Sequence, residues 1–314
     1  MKVLIILPPF LPIDDIREII RQILPDGEIS TSTDFTEHNA EVLVATTFTR
    51  IDGNLISKLP NLKMIQISST GYDNVDQDAV KSRKIMLCNI PVANKESVAE
   101  HVITMALAHL KNLIHFHNEI LKGNWPVLTN SMDLMGKTFG IIGMGAIGRK
   151  LAERLLYFGA NTVYYDPVRL PEEDEEILGL KFYSMNELLA KSDIISLHVP
   201  LTPETKNFIA EKQFNTMKDG SIFINTSRGE VVDEAAMIKA IKTKGIRAGI
   251  DVYSQEPPDF SSELFRLDNG YFFTAHSRGH HGKPAEVYNG NSRQCDEICA
   301  GTPASLQGAM IERL

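Results

Sequence analysis

Short apolar runs alternate with amphipathic segments along most of the chain. In the first ninety residues, the runs expected to form strands are Val3–Leu7, Val42–Ala45, Met64–Ile67 and Ile85–Cys88. Helices are expected between them, near Ile13–Ile23, Gly53–Leu59 and Gln77–Ser82. Strands that alternate with helices form parallel sheets, in which the strands are buried on both faces. The pattern therefore predicts a parallel-sheet domain at the start of the chain.

A second series of the same kind begins near residue 138. Its expected strands are Thr138–Ile142, Thr162–Tyr165, Asp193–Val199, Ser221–Asn225, Ile246–Val252 and Tyr271–Thr274. A long helix from Glu96 to about Leu113, preceded by Asn94, is expected to lead into this series. The segment Asn112–Met135, which contains the single tryptophan Trp125, is expected to form an irregular arm. We predict an open doubly wound sheet, with its ligand at the carboxyl ends of the strands.

A glycine-rich turn joins the first two strands of this second series. Gly143, Gly145 and Gly148 fit G-x-G-x-x-G, the helical pattern Ala146–Phe158 follows, and the next strand ends at Asp166. In such units the glycines allow a tight turn and a close approach to a pyrophosphate, and the acid accepts hydrogen bonds from a ribose. The alternative is a glycine turn without a ligand. The flanking strands and helix favour a dinucleotide site.

Composition and charge narrow the function further. The chain has 314 residues, 43% of them hydrophobic, which suggests two domains. The net charge of −8 argues against a nucleic-acid partner, because the chain has no basic surplus to neutralise phosphates. The acidic run Glu172–Glu176 is expected to be a solvated loop or a helix start.

The chain shows neither a membrane anchor nor a disulfide pattern. No apolar run approaches the length of a membrane span, and Lys2–Leu7 is interpreted as a buried strand because prolines interrupt it. The three cysteines, Cys88, Cys295 and Cys299, are too few and too irregularly spaced for a disulfide framework, and no metal site is expected. A reducing, cytoplasmic location is therefore expected.

Four strands after the glycine turn end in polar loops. The loops read HVPLTPET (His198–Thr205), NTSRGEVVDE (Asn225–Glu234), GIDVYSQEPP (Gly249–Pro258) and TAHSRG (Thr274–Gly279). Because the carboxyl ends of parallel strands share one edge of a sheet, we expect Arg228, Glu256 and His276 to lie near one cleft. A surface ion-pair network is the alternative interpretation.

These motifs together resemble the D-isomer-specific 2-hydroxyacid dehydrogenase family. The N-terminal half agrees, with STGYDNVD at Ser69–Asp76 and SVAEHVITMAL at Ser97–Leu107, so the resemblance covers about residues 40–280. It implies a Rossmann nucleotide domain inserted into a discontinuous flavodoxin-like substrate domain. The implied boundaries are residues 1–95 and 285–314 for the substrate domain and 96–284 for the NAD-binding domain.

The resemblance also implies catalytic roles. Arg228 would bind the substrate carboxylate, His276 would exchange a proton with the substrate oxygen, and Glu256 would hydrogen-bond His276. Hydride addition to a carbonyl leaves an alkoxide, so an acid that titrates near neutrality is required. Backbone N–H groups of Thr70 and Gly71 would hold the other side of the carboxylate.

The cofactor implied is NAD, and the implied oligomer is a homodimer formed through the arm that contains Trp125. Asp166 would favour NAD over NADP by repelling a 2′-phosphate, and Arg169 is the one nearby residue that could soften this preference. The cofactor contacts carried over from the family are Gly143, Gly145, Ala146, Ile147, Gly148, Asp166, Val199, Pro200, Thr205, Thr226, Asp251 and Gly279.

Several points stay open at this level. Ala275 precedes His276 where the family usually has proline, and the basic loop Arg278–Lys283 could receive a phosphorylated or second-carboxylate substrate or simply be solvated. A non-catalytic, NAD-sensing protein of the same fold is the main rival. A methyltransferase fits poorly with the second domain, and L-specific dehydrogenases place the glycine motif near the N-terminus. The identity of the 2-hydroxy acid, the direction of the reaction and the fold of the last residues are not predicted.

Overall fold

The chain forms two compact units with separate parallel sheets. The structure, a computed structural model, describes residues 1–90, 94–127, 130–267 and 270–272. The described residues up to 90 belong to the first unit, and those from Asn94 onward belong to the second. The fold class predicted from the sequence, two doubly wound α/β domains, is confirmed.

The first unit is built on a five-stranded parallel sheet. Its strands are β1 (Val3–Ile6), β2 (Glu28–Ser30), β3 (Val42–Ala45), β4 (Met64–Ile67) and β5 (Met86–Cys88), and its helices are α1 (Ile13–Ile23), α2 (Gly53–Ser57) and α3 (Gln77–Ser82). The strand order is β2-β1-β3-β4-β5, which is the flavodoxin-like order. Both β1 and β3 are buried along their whole length, as their uninterrupted apolar sequences require.

The second unit is built on a seven-stranded parallel sheet. Its strands are β6 (Thr138–Ile142), β7 (Asn161–Tyr165), β8 (Lys181–Phe182), β9 (Ile194–Leu197), β10 (Ile222–Asn225), β11 (Arg247–Ile250) and β12 (Gly270–Phe272). Its helices are α4 (Lys95–Leu110), α5 (Leu113–Leu121), α6 (Ala146–Tyr157), α7 (Glu172–Leu178), α8 (Met185–Lys191), α9 (Glu211–Thr216) and α10 (Glu234–Lys244). The order β12-β11-β10-β9-β6-β7-β8 reverses direction at β6, as in a Rossmann sheet.

Helices cover both faces of this second sheet. On one face, Phe139 and Ile141 of β6 pack in a core with Leu151 of α6 and with α4. On the other face, Ile142 of β6 packs in a core with residues of α8, α9 and α10, among them Phe214. Alternate residues of one strand therefore serve opposite layers, which leaves only the strand ends open to a ligand.

The first part of the arm was predicted incorrectly, whereas its described residues after Leu121 form no helix or strand, as expected. Asn112–Met135 does not begin as an irregular segment, because Leu113–Leu121 forms helix α5 directly after α4 ends at Leu110. Asn112 between the two helices has a φ of 49°, a left-handed conformation that stops α4 and lets the chain change direction. No residue of α5 is buried, so its apolar residues do not pack into a hydrophobic core.

The remaining predictions concern the acidic run, the edge strands, membrane helices and the domain boundaries. Glu172–Glu176 begins helix α7, as one of the two expected forms. The short edge strands β2 and β8 were not predicted. No helix within the described residues combines the length and apolar character that crossing a membrane requires. The predicted boundaries at residues 95 and 285 stay predictions, and residues 285–314 lie outside the described residues.

Candidate active site

The glycine turn after β6 has the geometry of a phosphate-binding turn. Gly143 has a φ of 97°, and a Cβ there would lie 2.6 Å from the carbonyl oxygen of His198. A Cβ on Gly148 would lie 2.3 Å from the carbonyl oxygen of Gly143. A Cβ on Gly145, in contrast, would meet no atom within 4 Å. Two glycines therefore allow the turn and the packing, and the third faces open space that a ligand can enter.

Helix α6 begins directly after this turn, so its positively polarised N-terminus lies beside the turn. Gly145 is its N-cap residue, and its first turn contains no acidic side chain. The first N–H groups of a helix, here those of Ala146 and Ile147, have no partner within the helix and add to a positive dipole end. The open space at Gly145 and these donors fit the pyrophosphate of a dinucleotide.

Asp166 connects the end of β7 to the glycine turn. One carboxylate oxygen accepts a hydrogen bond from the N–H of Met144 at 2.8 Å, and the other accepts one from the N–H of Val168 at 3.0 Å. A carboxylate can accept about four hydrogen bonds, so these contacts leave acceptor sites for a ribose diol. The two backbone bonds hold the acid beside the turn.

The register of the sheet aligns the ends of four neighbouring strands. Ile142 pairs with Leu197, Leu197 with Asn225, and Asn225 with Ile250. The residues that follow these strands therefore lie in one row at the carboxyl edge: Gly143, His198, Thr226 and Asp251. The sheet thus brings the glycine turn and the predicted nicotinamide residues Thr226 and Asp251 to one edge, although they are far apart in sequence.

The loop after β9 is held by its own polar groups. The Thr205 hydroxyl donates to the carbonyl of Pro200 at 2.6 Å and accepts from the N–H of Thr202 at 2.7 Å. His198 lies 3.0 Å from the Ser196 hydroxyl, and burial lowers the pKa of its imidazole to about 3. The imidazole of His198 is therefore neutral at working pH. Val199 is half-buried beside it.

The loops after β10 and β11 pack directly against each other. A Cβ on Gly229 would lie 2.0 Å from the backbone carbon of Tyr253, so only glycine permits this approach. Arg228 precedes it and is half-buried, and its carbonyl accepts from the Asn225 side chain at 2.8 Å. The Glu256 carboxylate, on the neighbouring loop, accepts from the N–H of Tyr253 at 3.3 Å. The predicted pair Arg228 and Glu256 thus sits on two loops in contact.

Sequence reasoning missed one residue beside this row. His101 of α4 places its Nε2 3.4 Å from Oδ1 of Asp251, whose side chain is 0% exposed. A fully buried carboxylate requires hydrogen bonds or an opposite charge. The signal was a histidine on an otherwise apolar helix face, in the motif SVAEHVITMAL, to which no role was given.

Other predicted residues are located elsewhere. Thr70 and Gly71 follow β4 in the first unit, where the Thr70 hydroxyl donates to the carbonyl of Ile90 at 3.2 Å and the Asn89 side chain donates to the carbonyl of Thr70 at 2.6 Å. These bonds fix the backbone of the loop that was predicted to hold the carboxylate. His276 and Gly279 lie outside the described residues.

Comparison with known proteins agrees with this geometry. Residues 103–277 match the family model described as D-isomer specific 2-hydroxyacid dehydrogenase, NAD binding domain. A glyoxylate reductase from Thermococcus litoralis is 39% identical over 238 residues, which cover 73% of this chain and 71% of the relative. A D-3-phosphoglycerate dehydrogenase from Archaeoglobus fulgidus is also 39% identical, over 73% of this chain but only 44% of its own length. The chain therefore spans less than half of that longer relative.

A solved structure extends the match to both units. The D-lactate dehydrogenase from Aquifex aeolicus, complexed with NAD and lactic acid, superposes with a TM-score of 0.81 at 30% identity and covers 99% of this chain and 97% of its own. The matched relatives are dehydrogenases and reductases, which favours an enzyme over an NAD-sensing binding protein. NAD is the cofactor of the matched domain. The chain belongs to the D-isomer-specific 2-hydroxyacid dehydrogenase family.

Proposed function

We propose that the chain transfers a hydride between NAD(H) and a small acid, reducing a 2-oxo acid to the D-2-hydroxy acid or oxidising the hydroxy acid in the reverse direction. The observation that carries this proposal is the row at the carboxyl edge of the second sheet. There the glycine turn, Thr226 and Asp251 are aligned by strand register, and the loop that bears Arg228 packs against the loop that bears Glu256. One edge thus offers dinucleotide-binding groups and a guanidinium for a carboxylate.

Arg228 is proposed to bind the substrate carboxylate, because the planar guanidinium fork matches a carboxylate better than an ammonium does. Backbone N–H groups of Thr70 and Gly71 would hold its other side. NAD(H) supplies or accepts the hydride. The alkoxide that forms during reduction requires a proton, which we assign to His276, with Glu256 as its carboxylate partner favouring the charged imidazole.

The test is NADH oxidation in the presence of glyoxylate, pyruvate, hydroxypyruvate and 3-phosphohydroxypyruvate. We expect turnover with at least one unphosphorylated acid. His276→Ala should lower turnover by roughly two to four powers of ten and leave NADH affinity nearly intact. Turnover confined to the phosphorylated acid would indicate that the basic loop Arg278–Lys283 receives a phosphate.

Two outcomes would contradict the assignment. Bound NADH without turnover on any of these acids would favour the NAD-sensing binding protein. Normal turnover in His276→Ala, with loss in His280→Ala or His281→Ala, would move the proton donor to another histidine.

We infer that a second copy of the chain covers α5 and the residues that follow it. The apolar side chains of Leu113, Leu121 and Val127 are exposed, and Trp125 is 82% exposed. Trp125 is therefore not buried against its own domain. Several large apolar side chains exposed along one short segment favour a protein interface there.

Light scattering tests this homodimer. A dimer is expected at micromolar concentration, and Trp125→Glu should dissociate it. Ile177→Glu is the matched control, since Ile177 is an exposed apolar residue of α7 in another part of the same unit. A monomeric parent protein, or equal dissociation by both variants, would argue against this interface.

A cytoplasmic location is also proposed. The three cysteines of the chain, Cys88, Cys295 and Cys299, show no disulfide spacing. Thiols persist in a reducing compartment. Fractionation of cells that express the protein would test this location.

A further inference from the structure

Arg169 does not face the cofactor edge as a free cation. Its Nε donates to Oε1 of Glu175 at 2.9 Å and its Nη2 donates to Oε2 at 2.8 Å, which makes a bidentate pair. The hydroxyl of Tyr164, at the end of β7, donates to the same Oε1 at 2.6 Å. Both oxygens of Glu175 are therefore engaged.

Two members of this cluster, Tyr164 and Glu175, are buried, whereas the Arg169 side chain is 56% exposed. Glu175 is only 7% exposed, and the N–H of Leu170 donates to the Tyr164 hydroxyl at 2.8 Å. The hydrogen bonds from Arg169 lower the pKa of Glu175 to about 2, against the effect of its burial, so the carboxylate is charged at working pH. The guanidinium also lies 5.6 Å from the centre of the Phe182 ring.

The position of Arg169 gives this pair a consequence for the cofactor. Arg169 follows Asp166 by three residues in the loop after β7, where the adenosine ribose of a dinucleotide binds in a sheet of this topology. An arginine at this edge can accept a 2′-phosphate, which is how such sheets accommodate NADP. Arg169 is paired with Glu175, however, and the pair as a whole has no net charge.

We propose that Glu175 is a specificity-determining residue, which favours NAD over NADP by holding Arg169 away from the 2′ position of the ribose. The proposal rests on the binding of a nicotinamide dinucleotide at this edge. Asp166 repels a 2′-phosphate directly, and Glu175 withdraws Arg169, a cation that would attract it. The two acids thus act on the same phosphate by different routes.

Arg169 can separate from Glu175 without a large energetic cost. Its side chain is 56% exposed, so breaking the pair returns the guanidinium to solvent and does not leave it buried and unpaired. Glu175→Gln keeps the volume and an oxygen that can accept from Tyr164 but removes the charge. Glu175→Met is a second variant of similar size, in case the amide destabilises the fold.

The experiment measures dissociation constants for NADH and NADPH by cofactor fluorescence, which does not depend on turnover. In Glu175→Gln and Glu175→Met, NADPH should bind about tenfold more tightly and NADH within about twofold of the parent, the effect of about one charge-assisted hydrogen bond. The gain should disappear in Glu175→Gln/Arg169→Ala. Glu173→Gln is the control, because it removes the same charge from an exposed position on α7.

Three results would overturn the proposal: an unchanged ratio of the two constants in both Glu175 variants, a gain that persists without Arg169, or an equal gain in Glu173→Gln. The last two would mean that net charge, and not the release of Arg169, sets the preference. Failure of the parent protein to bind either cofactor would instead contradict the proposed function.

Discussion

Both sheets of this protein are doubly wound, but the loops at the point where the strand order reverses differ between them. In the first sheet the reversal lies between β1 and β3, and in the second between β6 and β9. Both are places where an open parallel sheet presents a crevice at its carboxyl edge. A helix follows the first strand of each crevice, but the two loops differ in their backbone N–H donors and in charge.

Prolines follow β1 where glycines follow β6. Pro8 and Pro9 have no N–H group to offer an anion, and helix α1 then begins with Asp14 and Asp15 in its first turn. Helix α6, in contrast, begins after Gly145 with no acid in its first turn. The comparison shows that topology supplies a crevice, whereas backbone donors and the absence of negative charge make a nucleotide site.

The largest expected effect comes from placing an acidic residue at the start of α6, where the first crevice has acids at the start of α1. Gly145→Asp should weaken NADH binding by about 100-fold, because a carboxylate would occupy the space of the pyrophosphate at the helix N-terminus. Thermal unfolding should change little, since a Cβ at this position meets no atom and its φ of −75° suits any residue. Calorimetric titration with NADH measures the loss. Unchanged affinity would remove the glycine turn from the cofactor site.

Gly148→Ala separates the packing role of the motif from its binding role. Its Cβ would lie 2.3 Å from the carbonyl oxygen of Gly143, so helix α6 must move away from β6. Such overpacking typically lowers the free energy of unfolding by about 1–3 kcal/mol. Urea unfolding tests this value, with Gly145→Ala as a control that adds the same methyl group in open space. Equal stability of the two variants would contradict the packing argument.

Acid should destabilise the second unit through its buried histidines. His109 is 2% exposed and stacks on Tyr271 at 4.0 Å, and burial together with Arg247 lowers the pKa of its imidazole to about 3. The unfolded chain regains a pKa of about 6.5, so it binds more protons than the folded chain between these values. The free energy of unfolding therefore falls as the pH drops below about 6.5, by up to about 1.4 kcal/mol per pH unit for each such histidine.

His109→Phe tests this pH dependence. It keeps the ring stack and removes the titrating group, so the loss of stability between pH 7.5 and 5.5 should become smaller. The remaining dependence should come in part from His198, whose pKa burial also lowers to about 3. An identical pH dependence in the parent and the variant would show that His109 does not contribute.

The smallest effect on NADH binding is expected from replacing the prolines after β1 with glycines, as found after β6. Pro8→Gly/Pro9→Gly, made in the Gly145→Asp background, should create no measurable NADH binding, because Asp14 and Asp15 remain at the start of α1. Each substitution should lower the free energy of unfolding by about 0.4–1 kcal/mol through greater freedom of the unfolded chain. Recovery of NADH binding would mean that backbone donors alone are sufficient for a site.

Much of the fold could be predicted because buried strands carry a strong local signal. The strands β3, β4 and β6 begin and end at the predicted residues, since each is a short, mostly apolar run between polar segments. The edge strands β2 and β8 could not be predicted in this way. Edge strands are short and half-exposed, so their sequences lack the apolar run that marks a central strand.

The candidate site was predictable to a similar degree. The glycine turn and Asp166 are local, and their spacing alone indicates the strand, turn and helix that the structure contains. The pairing of His101 with Asp251 was not predictable, because it joins residues that are distant in sequence and brought together by the packing of α4 against the sheet. The catalytic assignment of His276 stays a prediction.

The sequence by itself determined the two doubly wound units, the glycine turn and the NAD-binding family, because periodicity, glycine spacing and ordered motifs are properties of neighbouring residues. Only the tertiary structure decided which strand ends stand in one row and what each charge faces. Arg169 is the clearest case: in the sequence it is a cation beside a ribose site, and in the fold it is paired with Glu175. The physical reason is that an adjacent opposite charge offsets the charge of a side chain, and tertiary packing determines which residue is adjacent.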